Sequence, residues 1–245
     1  MTEPAGPSAF ARSVNLPNAI SAARIIVSPL IAFLPLIDSP LWRIVGFVLY
    51  LASAISDYYD GMLARTRGLV TDLGKALDPL ADKLLLVATF VPMLILQGPP
   101  GDAVATYFAR IMHMPAGTSF AFPFATWFGS VALPWWVIAL VLGREAFMTV
   151  FRQAAQNRGV VIAAIGPAKW KAAIQYIWVG AAYFWFAAQT AAIAKGWHMP
   201  AWDFIANLVG SIGVVSMVVA VALTLYSLVL YLQRYGSLFT KRRVA

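Results

Sequence analysis

The chain has 245 residues, of which 61% are hydrophobic and only 11% are charged, with a mean hydropathy of +0.75. Soluble globular domains carry about a quarter charged residues, so this composition excludes an ordinary soluble domain and indicates a membrane protein. The net charge of +8 suits a basic rim facing anionic headgroups or phosphorylated substrates, and we predict no nucleic-acid partner.

Six apolar segments are long enough to cross a bilayer, whose hydrocarbon core is spanned by about 20 helical residues. We therefore predict an all-α integral membrane protein with six transmembrane helices in one domain, 19–232. The predicted spans are 19–37, 42–64, 79–97, 133–151, 172–194 and 204–232. Residues 1–18 are expected to form a cytoplasmic or interfacial segment without a cleaved signal peptide, and 233–245 a basic cytoplasmic tail.

The basic residues set the predicted orientation, because Lys and Arg in short loops are retained on the cytoplasmic side. With the N-terminus inside, every Lys and Arg except Arg43, Arg110 and Lys195 falls on that side. Both termini are therefore predicted to be cytoplasmic. The long external loop, 98–132, is expected to contain an interfacial turn or a short helix.

Five of the ten acidic residues lie in one short stretch, 56–83, between the second and third spans. Asp57 and Asp60 are three residues apart, and Asp78 and Asp82 are four residues apart. Each pair therefore shares one face of its helix. Because a short loop joins the two helices, they must be antiparallel neighbours, and the four carboxylates are predicted to converge.

Converging carboxylates at the edge of a low-dielectric region need cations, since like charges there repel strongly. Mg²⁺ or Mn²⁺ prefers carboxylate oxygen, and two such ions can share bridging carboxylates in sites that act on phosphoryl groups. The absence of cysteine excludes thiolate metal sites. The alternative, a solvated helix end or cap, is the interpretation we favour only for Asp72, where the sequence TDLG is typical of a helix start. Gly61 and Gly74 add no side chain that would block a ligand or a neighbouring helix.

Eight positions of this stretch resemble the signature of the CDP-alcohol phosphotransferase family. They are, in order, Asp57-x2-Asp60-Gly61-x2-Ala64-Arg65-x8-Gly74-x3-Asp78-x3-Asp82. The resemblance implies a six-helix membrane enzyme, a homodimer, that transfers a phosphatidyl-type group from a CDP-linked donor such as CDP-diacylglycerol to an alcohol and releases CMP. It also implies two divalent ions, Mg²⁺ or Mn²⁺, bound by Asp57, Asp60, Asp78 and Asp82, with Asp82 as the general base.

The same resemblance implies contacts with the donor nucleotide from Asp57, Gly61, Arg65 and Gly74. A second, weaker match is Pro17-Asn18-x2-Ser21-x2-Arg24, which resembles the start of the first helix in this family. It implies that Asn18 and Ser21 help to hold the cytidine side. An ordinary helix start with a capping side chain is an equally good interpretation of this second match.

A basic group follows in the fourth and fifth predicted helices. Arg144 and Arg152 are eight residues apart and share one side of a helix, and Glu145 can partly compensate the charge of Arg144 within the apolar span. Lys169 and Lys171 are placed in the loop before the fifth helix, and for Lys171 ordinary positive-inside topology is the interpretation we favour. The order of these residues resembles the bacterial phosphatidylglycerophosphate synthase branch, which implies that Arg144, Arg152 and Lys169 bind the phosphate of sn-glycerol 3-phosphate.

Several functions remain open at this point. A related transferase could use inositol phosphate or phosphatidylglycerol as the acceptor. Intramembrane carboxylates also mark divalent-cation transporters, and prenyl transferases use Asp clusters to bind pyrophosphate through Mg²⁺. The family resemblance implies a multi-pass protein of the bacterial inner membrane, surrounded by membrane lipids, with its active site facing the cytoplasm.

Overall fold

The computed structural model describes residues 15–66, 71–115, 118, 121–160, 162 and 166–236. These residues are mostly helical, and they also contain a 3₁₀ turn, Leu34–Leu36, and two short strands, β1 (Phe124–Thr126) and β2 (Gly129–Val131). The helices are α1 (Leu16–Phe33), α2 (Pro40–Thr66), α3 (Asp72–Gln97), α4 (Ala103–Ile111), α5 (Trp135–Gln156), α6 (Gly166–Lys195) and α7 (Pro200–Tyr235). The strand pair departs from the all-α prediction.

Five of the described helices are long and apolar enough to cross a membrane. These candidate spans are Leu16–Leu36, Pro40–Leu63, Asp72–Gln97, Trp170–Lys195 and Pro200–Tyr235. The fourth predicted span, 133–151, forms the 22-residue helix α5. This helix is not among the five candidate spans, and it carries three charged residues, Arg144, Glu145 and Arg152.

Side-chain caps determine where the first and third helices begin. The Asn15 side chain accepts a hydrogen bond from the backbone N–H of Asn18 (3.0 Å), which satisfies one of the free amides at the start of α1. In the same way, Thr71 Oγ1 accepts from the N–H of Gly74 (3.0 Å) at the start of α3. Asp72 is the first helical residue and is exposed, so the predicted solvated helix start is confirmed, while the capping side chain is that of Thr71.

The chain divides into two compact units, and the first contains the chain up to Pro92 together with Phe186–Gly196. In this unit α1 packs against α2. The start of α2 is fixed by the buried Arg43, whose Nε donates to the carbonyl of Pro35 (2.9 Å) and whose guanidinium also bonds to Thr190. A buried arginine needs such partners, since an unpaired charge in a low-dielectric interior is costly.

The second unit contains Met93–Trp185 and the chain from Trp197 onward. Here α5 packs against α7, and the β1–β2 hairpin also packs on α7. Helix α6 begins at Gly166, six residues before the predicted span of 172–194. The placement of Lys169 and Lys171 in a loop was therefore wrong, since both residues lie in the first two turns of α6.

Candidate active site

The predicted carboxylates gather around one buried arginine of α1. Arg24 is 2% exposed, and its Nη1 donates to Asp57 and to Asp82 (3.1 Å), while its Nη2 donates to Asp60 Oδ2 (2.5 Å). One guanidinium therefore contacts carboxylates from both α2 and α3. These carboxylates converge as helical periodicity predicted. The positive charge between them is the guanidinium of Arg24, which a third helix, α1, supplies.

A hydroxyl of α1 brings in the fourth carboxylate. Ser21 Oγ lies 2.6 Å from Asp78 Oδ1 and 3.4 Å from Asp60 Oδ2. Ser21 and Arg24 are one helical turn apart, so they present their polar groups on the same side of α1. Ser21 was predicted to contact the donor nucleotide, and that role stays a prediction.

The carboxylates differ in how open they are to solvent. The Asp60 side chain is only 4% exposed, whereas the Asp82 side chain is 51% exposed. Asp60 is therefore placed to hold the cluster together, and Asp82 is the member that a second molecule can reach most easily.

Among the described residues, four carboxylates gather near the guanidinium of Arg24 and the hydroxyl of Ser21. The donor chemistry of this cluster fits hard divalent cations, which take carboxylate oxygens as ligands. In the part of the chain that the structure describes, however, no three acidic or histidine side chains form a ready-made cation site. The metal-binding role of Asp57, Asp60, Asp78 and Asp82 therefore stays a prediction.

A close contact explains the glycine at position 74. Asn18 Nδ2 donates to Thr71 Oγ1 (2.8 Å), and a Cβ atom at Gly74 would lie only 2.6 Å from Asn18 Oδ1. The space beside Gly74 is thus taken by Asn18, which ties α1 to the start of α3. The predicted contacts of Gly74 and Asn18 with a nucleotide remain predictions.

Two further residues of the predicted site are only partly described. Gly61 follows Asp60 in α2 and is half-buried. Arg65 lies in the last turn of α2, and Lys169 lies in the first turn of α6, but their side chains fall outside the described residues. The predicted donor contact of Arg65 and the predicted phosphate contact of Lys169 therefore stay predictions.

The basic group of the second unit is built around a single carboxylate. Arg144 Nη1 donates to Glu145 Oε1 (2.9 Å), and Lys171 Nζ bonds to the same oxygen. Arg144 Nη2 also donates to Ser227 Oγ of α7 (2.9 Å). Lys171 is 6% exposed, so it is a buried partner of Glu145, and the positive-inside topology favoured for it stays a prediction.

Arg152 extends this basic group along α5. Its Nη2 donates to the Tyr231 hydroxyl (3.3 Å), and its guanidinium lies 5.5 Å from the centre of the Tyr231 ring. Tyr231 and Ser227 are one turn apart on α7, so Arg152 and Arg144 face the same helix, as their spacing of eight residues predicted. Unlike Arg144, Arg152 is exposed, which leaves most of its donors available to an anion.

Comparison with known families supports the interpretation of the Asp motif. The profile of the CDP-alcohol phosphatidyltransferase family matches residues 14–116 and 113–235, which together cover most of the chain. The chain belongs to the CDP-alcohol phosphatidyltransferase family. In this chain the four carboxylates, with Arg24 and Ser21, form the candidate active site.

The chain is also similar in sequence to several curated proteins. The chain is 45% identical over 80 residues to "CDP-diacylglycerol--glycerol-3-phosphate 3-phosphatidyltransferase" of Rickettsia bellii, covering 33% of this chain and 44% of that protein. It is 30% identical over 173 residues to "Probable phosphatidylglycerophosphate synthase" of Mycobacterium tuberculosis, covering 69% and 66% of the two chains. It is 27% identical over 233 residues to "Cardiolipin synthase (CMP-forming)" of Oryza sativa, covering 93% and 59%.

Sequence reasoning missed the contacts that Arg24 makes with the carboxylates of the candidate active site. The available signal was the spacing of polar residues in the otherwise apolar α1, where Asn18, Ser21, Arg24 and Ser28 are all buried. These positions fall on one side of the helix. A buried polar face needs polar partners, and the Asp motif is the richest source of them in the chain.

In Gly74→Ala the new methyl group should displace Asn18. The loss of the Asn18–Thr71 hydrogen bond should then offset the stabilisation that alanine normally gives a helix. Replacing glycine by alanine in a helix interior is worth about 1 kcal/mol, while losing the Asn18–Thr71 hydrogen bond costs about 0.5–1.5 kcal/mol. Gly143→Ala is the matched control, because a Cβ at Gly143 of α5 meets nothing within 4 Å. Thermal unfolding in detergent should give Gly143→Ala the higher midpoint. Equal midpoints would show that Asn18 moves away without cost.

Proposed function

We propose that this protein transfers the phosphatidyl group of CDP-diacylglycerol to sn-glycerol 3-phosphate, giving phosphatidylglycerophosphate and CMP. The observation that carries the proposal is the convergence of four motif carboxylates from α2 and α3 on Ser21 and Arg24 of α1. Membership of the CDP-alcohol phosphatidyltransferase family and the names of the Rickettsia and Mycobacterium relatives support it.

In this reaction the primary hydroxyl of the acceptor attacks the β-phosphorus of the donor. A new P–O bond forms, the bond between that phosphorus and the oxygen bridging to the α-phosphorus breaks, and CMP leaves with the electron pair. The Asp82 carboxylate takes the proton of the attacking hydroxyl, and its 51% exposed side chain supports that role.

The proposal includes two divalent cations, Mg²⁺ or Mn²⁺, held by Asp57, Asp60, Asp78 and Asp82. When bound, they would neutralise the negative charge that develops on the departing CMP. The gathering of four carboxylates near Arg24 and Ser21, among the described residues, supports this part of the proposal.

The proposed acceptor phosphate binds to the basic group of α5 and α6. Arg144, Arg152 and Lys169 are the proposed phosphate ligands. Among the described side chains, Arg144, Arg152 and Lys171 contribute three positive charges against the single negative charge of Glu145. A phosphate monoester such as that of sn-glycerol 3-phosphate carries up to two negative charges near neutral pH. The remaining positive charge therefore suits this acceptor, and arginine can bind a phosphate with two parallel hydrogen bonds.

Several wider features belong to the same proposal. The chain would cross the membrane six times, with α5 as the additional span, and both termini would be cytoplasmic. The active site would face the cytoplasm at the bacterial inner membrane, and the enzyme would act as a homodimer surrounded by membrane lipids. The distribution of Lys and Arg supports the orientation, and the bacterial relatives support the location.

A second candidate acceptor is phosphatidylglycerol, which would make the product cardiolipin. It is favoured by the similarity to the rice cardiolipin synthase, which covers 93% of this chain. The headgroup of phosphatidylglycerol is a phosphate diester with a single negative charge. The basic group therefore matches it less well than it matches a phosphate monoester.

The two acceptors can be separated in a reconstituted system. Purified protein in vesicles with Mg²⁺ and CDP-diacylglycerol should be offered sn-glycerol 3-phosphate, phosphatidylglycerol, inositol phosphate or serine in turn. We expect CMP release and phosphatidylglycerophosphate only with the first. Cardiolipin as the main product would overturn the choice of acceptor, and Mg²⁺ flux without any CMP release would overturn the enzymatic function itself.

Arg152→Gln should raise the KM for sn-glycerol 3-phosphate by about tenfold or more, because a hydrogen bond to a charged group contributes about 1.5–3 kcal/mol. The KM for CDP-diacylglycerol should not change. Arg158→Gln removes the same charge from an exposed arginine beyond the end of α5 and serves as the control. A selective loss of donor affinity in Arg152→Gln would contradict the assignment of the acceptor pocket.

A further inference from the structure

The loop between α3 and α5 presents a hairpin with two exposed aromatic residues at its tip. Strands β1 and β2 pair in antiparallel register and are joined by Trp127 and Phe128. Trp127 is 54% exposed and Phe128 is fully exposed. The turn is shaped by Thr126, whose hydroxyl donates to the carbonyl of Gly129 (2.7 Å), and by the positive φ of Gly129 (119°).

The hairpin is held firmly against the rest of its unit. A Cβ atom at Gly213 of α7 would collide with the ring of Phe124, and one at Gly210 would collide with the backbone of Ala125. Trp185 Nε1 also donates to the carbonyl of Pro123 (3.0 Å). An isolated two-stranded hairpin is marginally stable, so this packing on α7 is what fixes its position.

The position of the hairpin along α7 places its tip at the end of an apolar helix. No charged residue occurs between Asp203 and Arg234 of α7. The base of the hairpin packs at Gly213, within this apolar run, while the Trp127 ring lies 6.2 Å from the ring of Phe204, beside Asp203. Because Gly213 and Phe204 are separated by about 14 Å of helix, the hairpin runs towards the N-terminal end of α7, where Asp203 lies.

The surroundings of the tip have the composition of a membrane interface. No Asp, Glu, Lys or Arg occurs between Arg110 and Arg144. Trp197 and Trp202 pack together near the start of α7, with ring centres 5.6 Å apart. Trp and Tyr are enriched where transmembrane helices meet the headgroups, because one end of the ring is apolar and the other is polar.

We propose that Trp127 and Phe128 insert into the lipid interface on the side of the membrane where α7 begins, and that they anchor the hairpin to the bilayer. The two side chains contact lipid at the boundary between the phospholipid headgroups and the acyl chains. The hydrocarbon centre is excluded, because the backbone groups of the turn need water or headgroup partners. A protein partner is also excluded, because a stable protein interface buries about 800 Å² on each partner. The two aromatic side chains of the tip offer only roughly 300–500 Å².

The absence of cysteine from the chain makes this position directly measurable. Phe128→Cys, and separately Trp127→Cys, would be labelled with an environment-sensitive fluorophore in the full-length protein and reconstituted into phosphatidylcholine vesicles. Arg110→Cys is the matched control, because Arg110 is exposed on α4 of the same loop. Size-exclusion profiles in detergent would confirm that the labelled variants are folded, independently of any enzymatic activity.

Labels at positions 127 and 128 should emit at shorter wavelength than the label at position 110. Lipids carrying a nitroxide near the headgroup should quench them several-fold more strongly than they quench the control label. Aqueous iodide should show the opposite order. Iodide quenching at both tip positions equal to that of the control would overturn the proposal. The proposal would also be overturned if the nitroxide lipids did not quench the labels and labels on different protein molecules quenched each other. A second copy of the chain would then cover the tip.

Discussion

Asp82→Asn should lower CMP release from CDP-diacylglycerol by about a hundredfold to ten-thousandfold, which is the usual contribution of a general base. Asparagine has nearly the same size as aspartate, but it cannot accept a proton from the attacking hydroxyl at neutral pH. The Asp82 side chain is half-exposed and lies 3.1 Å from Arg24 Nη1. An amide oxygen can accept that hydrogen bond, so the variant should fold and still bind CDP-diacylglycerol.

Asp72→Asn is the control for this experiment, since it removes an exposed carboxylate from the first turn of the same helix. It should retain parental activity. CMP release measured alongside binding of CDP-diacylglycerol separates catalysis from substrate affinity. Parental activity in Asp82→Asn would remove the general base from the mechanism, and loss of donor binding in that variant would assign Asp82 to the donor site.

The arrangement of the Asp motif could be predicted from the sequence because it depends on local geometry. Residues three or four positions apart share a helix face, and a short connection makes two helices neighbours. These two facts were enough to bring Asp57 and Asp60 of α2 towards Asp78 and Asp82 of α3. The contact with α1 could not be derived in this way, since it depends on how a third helix packs against the pair.

The basic group shows a different limit of the sequence. The predicted fifth span began where the apolar residues begin, at 172, but α6 begins at Gly166. A helix can extend beyond the apolar run, and proline is well tolerated in its first turn, as at Pro167. Lys171 thereby becomes a helical residue held by Glu145, and a hydropathy pattern alone contains no information on that pairing.

The hairpin could not be predicted because it is stabilised by contacts that are distant in sequence. Its strands have three residues each, which is too short for a clear alternating pattern. Its position depends on Gly210 and Gly213, more than 80 residues further along the chain. Glycine in a helix interior is usually unfavourable, and here it provides the space for Phe124 and the backbone of β1.

Arg24→Ala should destabilise the protein more than any other single change considered, provided that divalent cations are chelated. Removing one partner of a buried ion pair costs about 3–5 kcal/mol, because the other charge remains buried without compensation. In Arg24→Ala the carboxylate of Asp60 would remain buried without its partner, since its side chain is 4% exposed and Arg24 Nη2 lies 2.5 Å from it in the parent. The midpoint of thermal unfolding in detergent with a chelator should therefore fall well below that of the parent.

Saturating Mg²⁺ should restore part of this loss, because a divalent ion among the carboxylates replaces the missing positive charge, and binding to the folded state alone stabilises it. The rise in midpoint on adding Mg²⁺ should accordingly be larger for Arg24→Ala than for the parent. Arg110→Ala, which removes an exposed arginine of α4, should behave like the parent in both conditions.

An equal rise in Arg24→Ala and parent would show that Arg24 and the ions do not neutralise the same carboxylates. An unchanged midpoint in chelator would show that the pairs of Arg24 add nothing to stability. The comparison thus separates a structural arginine from one that shares its partners with the metal ions, without requiring the enzyme to turn over.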